Sequence, residues 1–416
     1  RKGEKVVESN LDVARAAYDY TKDYFKGKCT ENLEELQKGP SEDRLLITGN
    51  QGIALGALAA NLKWISSYPM SPSTSVFVEI VKHSEQFKVA AMQSEDEIAG
   101  LCMAIGASFV GARSMVTTSG GGFSLMVESL GLSAMSETPV VIYNAQRPGP
   151  STGLPTRTEQ ADLLFMAFAS QGEFPRIILA PRDPAEAFHI TVRAFNLADR
   201  FQVPVMILGD QHLADSVKNV DRFDVSETSI DRGKIAESAG GIYRRHEFTE
   251  DGISPRAYPG QKGFTVVSTG NTHNEAGHIS ENPDNRNKMV EKRLKKIPRI
   301  LEVLHPPVYF GPTDASVTLV SWGSTWGAVN EVVESQSGTK YRQLHFSDIY
   351  PLRTDELKSA FEESDLVVTV EQNATGQFAA LVQMETGRSV DRRITKYDGR
   401  PMSPHWLRSA LQEASL

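Results

Sequence analysis

Three carboxylates, Glu95, Asp96 and Glu97, stand directly before a run from Ile98 to Ala107 in which every residue is apolar or glycine. Such a run has no 3.6-residue polar period, so a helix built on it is expected to be buried all round, with its acidic start in or near the interior. A carboxyl group in apolar surroundings holds its proton more tightly and suits proton transfer near neutral pH. The blander explanation is a helix cap. Ser94-x-x-Glu97 fits the capping box, in which the serine accepts from a backbone N–H and the glutamate reaches back, and acids suit the positive end of the helix dipole. On these residues alone capping ranks ahead of catalysis. Within the run Leu101, Ala104 and Ile105 share a face with Glu97, and Cys102 is expected to pack in the core.

Other chemistry-bearing groups recur at the ends of short apolar runs. Tyr68-Pro69-Met70-Ser71-Pro72-Ser73-Thr74 clusters hydroxyls in a loop stiffened by two prolines, able to donate to a ligand or to cap the next helix. Thr117-Thr118-Ser119 runs into Gly120-Gly121-Gly122, where a ligand or a second backbone can come close. Arg147 follows Val140–Asn144 within a proline-stiffened loop; its guanidinium suits a substrate carboxylate, although an arginine at a strand end is more often a surface charge. Gly49-x-x-Gly52-x-x-x-Gly56 is neither a dinucleotide fingerprint nor a P-loop and reads as tight helix packing. His273 and His278 have neither the spacing nor the third ligand of a metal site. Lys288–Arg299 reads as a basic helix with a solvated or interface face. Glu371-Gln372-Asn373 with Gly376-Gln377 reads as a site or, preferably, a subunit contact.

The elements that must position these groups alternate between strands and helices. Strands are expected near 45–48, 64–68, 88–92, 114–118, 140–144, 176–180, 205–208, 317–321 and 366–370, the pattern of βαβ units around a buried parallel sheet. Ligands in such sheets sit at the carboxyl ends of strands, where the groups above fall. With 416 residues, two domains are the natural expectation: a linker or the end of an upstream domain at 1–43, an α/β domain at 44–240, a polar connecting segment at 241–312, and a smaller α/β domain at 313–416. The net charge of −8 argues against a nucleic-acid or anionic-membrane partner. No stretch approaches the ~18 apolar residues of a membrane span, and no charged-then-apolar leader opens the sequence, so a cytoplasmic protein is expected. Cys29 and Cys102 are the only cysteines; two cannot hold an iron–sulfur cluster or a cysteine-rich zinc site.

Taken together, Gly49–Leu58, Tyr68–Thr74, the acidic helix start, Thr118-Ser119-Gly120, Asn144-Ala145-Gln146-Arg147 and Glu371-Gln372-Asn373 with Gly376-Gln377 resemble the alpha subunit of the 2-oxoacid:ferredoxin oxidoreductases, most closely the 2-oxoglutarate branch (2-oxoglutarate synthase). The resemblance runs from about Leu45 to the carboxyl end. It implies a thiamine-diphosphate pyrimidine-binding domain followed by a smaller transketolase C-terminal-like domain, and oxidative decarboxylation of a 2-oxoacid with coenzyme A and ferredoxin, or the reverse reaction that fixes CO2. It further implies a beta subunit holding the Mg²⁺-diphosphate and an iron–sulfur cluster, in a dimer of heterodimers. The sequence agrees by omission, having no Gly-Asp-Gly motif with its downstream Asn and too few cysteines. Residues 1–43 are similar to the end of a gamma-type domain.

For the site, the resemblance implies a glutamate bonded to the cofactor's aminopyrimidine ring. Glu97, nine residues before Gly106, fits that place, with Glu95 in reserve because pyruvate-type members carry Gln-Ser-Glu. Ser71 takes the place of a hydroxyl that meets substrate and cofactor, Arg147 that of the group binding the substrate carboxylate, and Thr118 and Ser119 line the cofactor pocket. Met70 departs from the isoleucine usual in that loop. Two alternatives stay open: a beta-type chain of another thiamine-diphosphate 2-oxoacid dehydrogenase, and a scaffolding subunit in which Glu97 only caps its helix.

Overall fold

The computed structural model describes residues 3–28, 43–238, 241–338 and 340–416. Helix α1 (Glu4–Tyr24) has no buried residue and belongs to a unit, Arg1–Arg44, separate from Leu45–Leu416. Much of the expected linker, and Cys29 with it, lies outside the described residues.

The strands and helices then alternate, as the sequence pattern predicts. The first stretch holds β1 (Arg44–Thr48), α2 (Gly49–Ala59), β2 (Trp64–Ser67), α3 (Thr74–Phe87), β3 (Ala90–Gln93), α4 (Glu97–Phe109), β4 (Ser114–Thr118) and α5 (Gly120–Met135). Next come β5 (Val140–Gln146), α6 (Leu163–Phe168), β6 (Ile177–Leu179), α7 (Pro184–Phe201), β7 (Pro204–Asp210), α8 (Gln211–Asp215) and β8 (Val217–Asp221). A largely irregular segment leads to α9 (Pro283–Leu294) and α10 (Lys296–Val303). The last stretch is β9 (Val308–Phe310), β10 (Val317–Trp322), α11 (Trp326–Glu334), β11 (Tyr341–Phe346), β12 (Asp348–Tyr350), α12 (Asp355–Glu363), β13 (Leu366–Glu371), α13 (Gln377–Thr386), β14 (Arg392–Thr395) and α14 (Pro404–Glu413).

Seven strands form one sheet in the order β12-β6-β7-β5-β4-β2-β3, parallel except for β12, and five form a second, β14-β13-β10-β11-β9, parallel except for β9. Every residue of β5 and β7 is buried, as expected of Val- and Ile-rich strands covered on both faces. One core lies under α2, α3 and α7. A second runs from α4, α5 and α6 to Trp322 and Phe346 of the second sheet and Phe378 of α13, and a third lies between the second sheet, α11 and α14. β12, from the carboxyl-terminal stretch, joins the first sheet beside β6, so the two sheets are bound by a shared core and by a strand the second region lends to the first.

Strand order reverses at two places, between β2 and β4 in the first sheet and between β10 and β13 in the second. Such switch points open a crevice at the strands' carboxyl ends. The first receives the Tyr68–Thr74 loop and the Ser119 turn. The second is filled from within the chain, as described below.

Three expectations need correcting. α4 is not buried all round: Gly100, Leu101, Ala104, Ile105 and Ser108 face the core, whereas Ile98, Cys102 and Met103 are exposed. An all-apolar run hides which side is wet, because polarity does not vary along it. Lys288–Arg299 is two helices with buried cations. Lys292 and Lys296 reach the buried Glu137 carboxylate at 2.5 and 2.6 Å, and His246 Nδ1 lies 3.1 Å from it. Burial alone would raise the Glu137 pKa, but the two ammoniums and the imidazole hold it well below the usual carboxylate range. Finally, β1 stands outside the main sheet, paired with β8.

Candidate functional site

Asp96, not Ser94, caps α4. Its backbone is extended and its carboxylate accepts from the Ala99 N–H at 2.7 Å, while the Ser94 hydroxyl donates to the Asp96 carbonyl at 2.8 Å. Glu97 is therefore the first residue of the helix, and the Ser94–Glu97 capping box does not form. The middle acid of the three takes the work of the cap and leaves Glu97 without it. Glu97 is 3% exposed, and among the described residues none gives its carboxylate a hydrogen bond or an ion pair. Glu95 points into solvent on the preceding turn.

The Glu97 side chain crosses to the first turn of α5. A Cβ on Gly122 would fall 2.7 Å from Glu97 Oε1 and 2.3 Å from Thr118 Oγ1, so only glycine leaves room for both. Thr118 and Ser119 are fully buried. The Thr118 hydroxyl donates to the Ser119 carbonyl at 3.2 Å. Ser119 occupies the N-cap position of α5 without capping it, and its hydroxyl has no partner. A buried, unsatisfied hydroxyl is uncommon and calls for an explanation.

On the other side of the crevice, Arg147 Nη1 donates to the Ser71 carbonyl at 2.7 Å, joining the ends of β2 and β5. Arg147 is half-buried, and its Nε has no partner. Ser71 itself is exposed. Its loop is fixed from beneath by the buried Asn50, whose amide donates to the Pro72 carbonyl at 2.9 Å and the Ser75 hydroxyl at 2.6 Å while its oxygen accepts from Tyr143 at 2.7 Å. Capping plays no part: Ser73 precedes α3 but donates to the Met70 carbonyl. The glycines after β1 are explained by packing, since a Cβ on Gly52 or Gly56 would meet the Pro184 or Phe188 carbonyl at 2.4 Å on α7. The structure thus brings Ser71, Glu97, Thr118, Ser119 and Arg147 to one switch point, and sets Glu95 outside it.

Asp162 belongs to the same place, and the sequence reading missed it. It lies at the start of α6, where an acid before an apolar run reads as an ordinary cap, yet its side chain caps nothing. Its carboxylate rests on Gly120, where a Cβ would meet both oxygens at 2.5 Å. It accepts from Asn144 Nδ2 at 2.9 Å, and its backbone N–H donates to Gln146 Oε1 at 2.9 Å. The other Asn144 amide atom, Oδ1, is buried without a partner. Crowding by protein raises the Asp162 pKa to about 6, against the Asn144 bond and the charge of Arg147. Neighbouring Glu159 is also raised to about 6, by burial and by Asp162.

The second switch point holds the segment that carries Asp162. The buried Gln160 side chain donates to the Trp322 carbonyl and accepts from the Gln372 N–H, both at 3.1 Å. Its backbone N–H donates to the Gln372 carbonyl at 2.6 Å, and Asn373 Nδ2 donates to its carbonyl at 3.1 Å. Gln377 donates to the Ala161 carbonyl at 2.7 Å and accepts from the Leu164 N–H at 3.0 Å. The Glu371 carboxylate accepts from Asn373 and from the Phe378 and Ala379 N–H groups. Glu371-Gln372-Asn373 and Gln377 therefore clasp a loop of their own chain, which corrects the expected subunit contact. Two other clefts, of about 560 and 680 Å³, are lined by residues 200–303 and 235–255 and contain none of these groups.

No described cluster of His, Cys, Asp and Glu could hold a metal ion, and no described helix is long and apolar enough to cross a membrane. The family model for pyruvate flavodoxin/ferredoxin oxidoreductase, thiamine-diphosphate-binding, matches residues 55–292. The chain is 40% identical over 429 aligned residues to the alpha subunit of 2-oxoacid:ferredoxin oxidoreductase 1 from Sulfurisphaera tokodaii, covering 99% of this chain but only 65% of that protein. It is 33% identical to the 2-oxoglutarate synthase subunit KorA of Methanothermobacter thermautotrophicus, covering 87% of this chain and 96% of the relative. Among solved structures, the 2-oxoglutarate:ferredoxin oxidoreductase from Magnetococcus marinus, with 2-oxoglutarate, coenzyme A and succinyl-CoA bound, superposes with a TM-score of 0.89 at 32% identity, over 99% of this chain and 72% of that one.

Proposed function

The chain belongs to the alpha subunits of the 2-oxoacid:ferredoxin oxidoreductases, and on that premise we propose that it forms the pyrimidine-side half of a thiamine-diphosphate active site. The reaction is the coenzyme A-dependent oxidative decarboxylation of 2-oxoglutarate, with electrons passing to ferredoxin; the carboxylating direction uses the same groups. The observation that carries the reading is Glu97: buried, freed from capping by Asp96, and unpaired at the switch point of the parallel sheet.

The residues present fit the aminopyrimidine end of the cofactor. Glu97 offers a buried carboxyl group, Ser119 an unused hydroxyl, and the Gly120–Gly122 turn the close approach of a backbone. When bound, thiamine diphosphate supplies the nucleophilic carbon and the electron sink for decarboxylation. Glu97 would hydrogen-bond the ring and hold the proton exchanged with it. Arg147, tied to the Ser71 carbonyl through one nitrogen, offers its free Nε edge to the 1-carboxylate of the substrate. Asn50 keeps the Ser71 loop in place while this happens.

The diphosphate, its Mg²⁺ and an iron–sulfur cluster are assigned to a beta subunit in a dimer of heterodimers. Supporting this division are the missing diphosphate motif, the two cysteines, and exposed apolar residues beside the site: Tyr68, Met92, Ile98, Met103 and Leu125. Large apolar side chains clustered around a half-built site are what a partner interface requires. Titration of thiamine diphosphate into the isolated chain and into the complex purified from cells tests the reading. Tight binding only in a complex with a cluster-bearing subunit is expected. Co-purification with a lipoamide-dependent partner, or no cofactor binding in the complex, would overturn it.

A further inference from the structure

We propose that a cleft at the far end of α5, lined by the buried Arg293 and the exposed Arg286, binds a small phosphomonoester. The inference does not rest on the roles assigned to Glu97 and Arg147. Gly131, in the cleft wall, lies eleven residues along α5 from Gly120, about 16 Å at 1.5 Å per residue, well away from the crevice that holds Glu97. The cleft has a volume of about 260 Å³, and its walls are the carboxyl end of α5, the 171–174 loop before β6, Gly270 and one face of α9.

Arg293 is the group that asks for a ligand. The buried arginines among the described residues are Arg113, Arg176, Arg245, Arg256, Arg293 and Arg342. All but one are bonded: Arg113 and Arg256 to Asp199, Arg176 to the Met166 and Ala169 carbonyls, Arg245 to Gln202 and the Glu137 carbonyl, and Arg342 to Thr318 and Glu363. Arg293, only 4% exposed, makes no hydrogen bond or ion pair with a described residue. Its place in the last turn of α9 suits the helix dipole, but that contact explains an exposed cation, not a buried one. Nor is a carboxylate left over for it, because Glu137 is taken by Lys292, Lys296 and His246. A guanidinium keeps its charge, and burying it unpaired is costly. Arg286, seven residues earlier and so on the same face of α9, lines the same cleft and is likewise without an ion pair.

The other charges in the cleft narrow the anion. Two guanidiniums match a dianion, and arginine holds phosphate through paired N–H donors. Glu128 and Glu173 also line the cleft, both exposed and neither paired with an arginine. They repel a second negative group but accept from hydroxyls. A compact molecule with its charge gathered at one end and hydroxyls at the other suits both pairs, which favours the phosphomonoester of a small polyol over a dicarboxylate.

The test is calorimetric titration of glycerol 3-phosphate into the assembled complex at constant ionic strength and about pH 8, where the phosphate is a dianion, with succinate as the dicarboxylate comparison. Saturable binding is expected, at least tenfold tighter than that of succinate. Arg293→Met, which keeps the buried stem, and Arg286→Gln, on the exposed rim, should each weaken it at least tenfold, and the second tests the cleft even if the first fails to fold. The KM for coenzyme A should be unchanged in both variants; a tenfold rise would assign the cleft to a phosphate of that molecule and overturn a separate site. No saturable binding to the native complex, equal binding of succinate, or native-like binding in either folded variant would also overturn the proposal.

Discussion

Replacing Gln160 with alanine tests whether the second sheet acts on the site of the first. The substitution removes the bonds to the Trp322 carbonyl and from the Gln372 N–H and keeps the two backbone-mediated bonds to Gln372 and Asn373. Both orphaned groups are buried in the β10–β13 crevice, and each unsatisfied buried group costs about 1–3 kcal/mol. The clasp should therefore weaken by roughly 2–6 kcal/mol, a substantial part of the ~5–15 kcal/mol that holds a typical native state. Because the backbone bonds persist, the loss is expected as local opening rather than unfolding. Hydrogen exchange followed by mass spectrometry on peptides spanning 158–164 and 371–378 reads it directly. At the lower bound, exchange there should speed by roughly 30-fold with little change in β5 or β7. Unchanged exchange in both peptides would show that the loop is held by something other than Gln160, and the account of how Asp162 is placed would fail.

Three other outcomes follow from the same geometry. Glu137→Gln leaves the Lys292 and Lys296 ammoniums without their anion and should cost about 3–5 kcal/mol, read as a lower urea midpoint at constant slope; a midpoint within error of the native protein would contradict the ion-pair account. Burial depresses His246 and His345 to about 3 each, below the ordinary unfolded value near 6.5. The unfolded chain then binds more protons between those limits, so stability is complete above pH 6.5 and is lost as pH falls, by about 1.4 kcal/mol per unit per histidine; a flat urea midpoint from pH 7 to 5 would refute it. Gly122→Ala, which elsewhere in a helix would stabilise by about 1 kcal/mol, should instead displace Glu97 and Thr118 and weaken thiamine-diphosphate binding at least tenfold in a folded complex, whereas unaltered binding would mean that the turn does not shape the site.

What the sequence disclosed depended on how much of each feature is local. Most of the parallel strands were legible because Val- and Ile-rich runs punctuated by turns announce themselves, and the strand-end rule located Ser71, Thr118, Ser119 and Arg147; β11 was not, because Arg342, Gln343 and His345 break up its apolar pattern. The short β8, β9, β12 and β14 were not, since edge strands of three to five residues are decided by their neighbours. The wet side of α4 escaped because Ile98, Cys102 and Met103 are as apolar as the buried face. Lys292 and Lys296 read as surface cations because their anion, Glu137, lies far away in the chain. Asp162 escaped for the opposite reason: locally it resembles a cap, and only the clasp by Gln160 places it on Gly120. The choice among three acids turned on which of them capped the helix, and Asp96 does.

The central claim is that Glu97 is a proton-holding group rather than a helix cap, and Glu97→Gln tests it most directly. In the complex with its partner subunit, steady-state turnover of 2-oxoglutarate should fall by about 10²- to 10⁴-fold, with unchanged assembly and with melting temperature held, because the cap belongs to Asp96. Glu95→Gln, on the exposed turn, should turn over normally. Near-native turnover in Glu97→Gln would contradict the account.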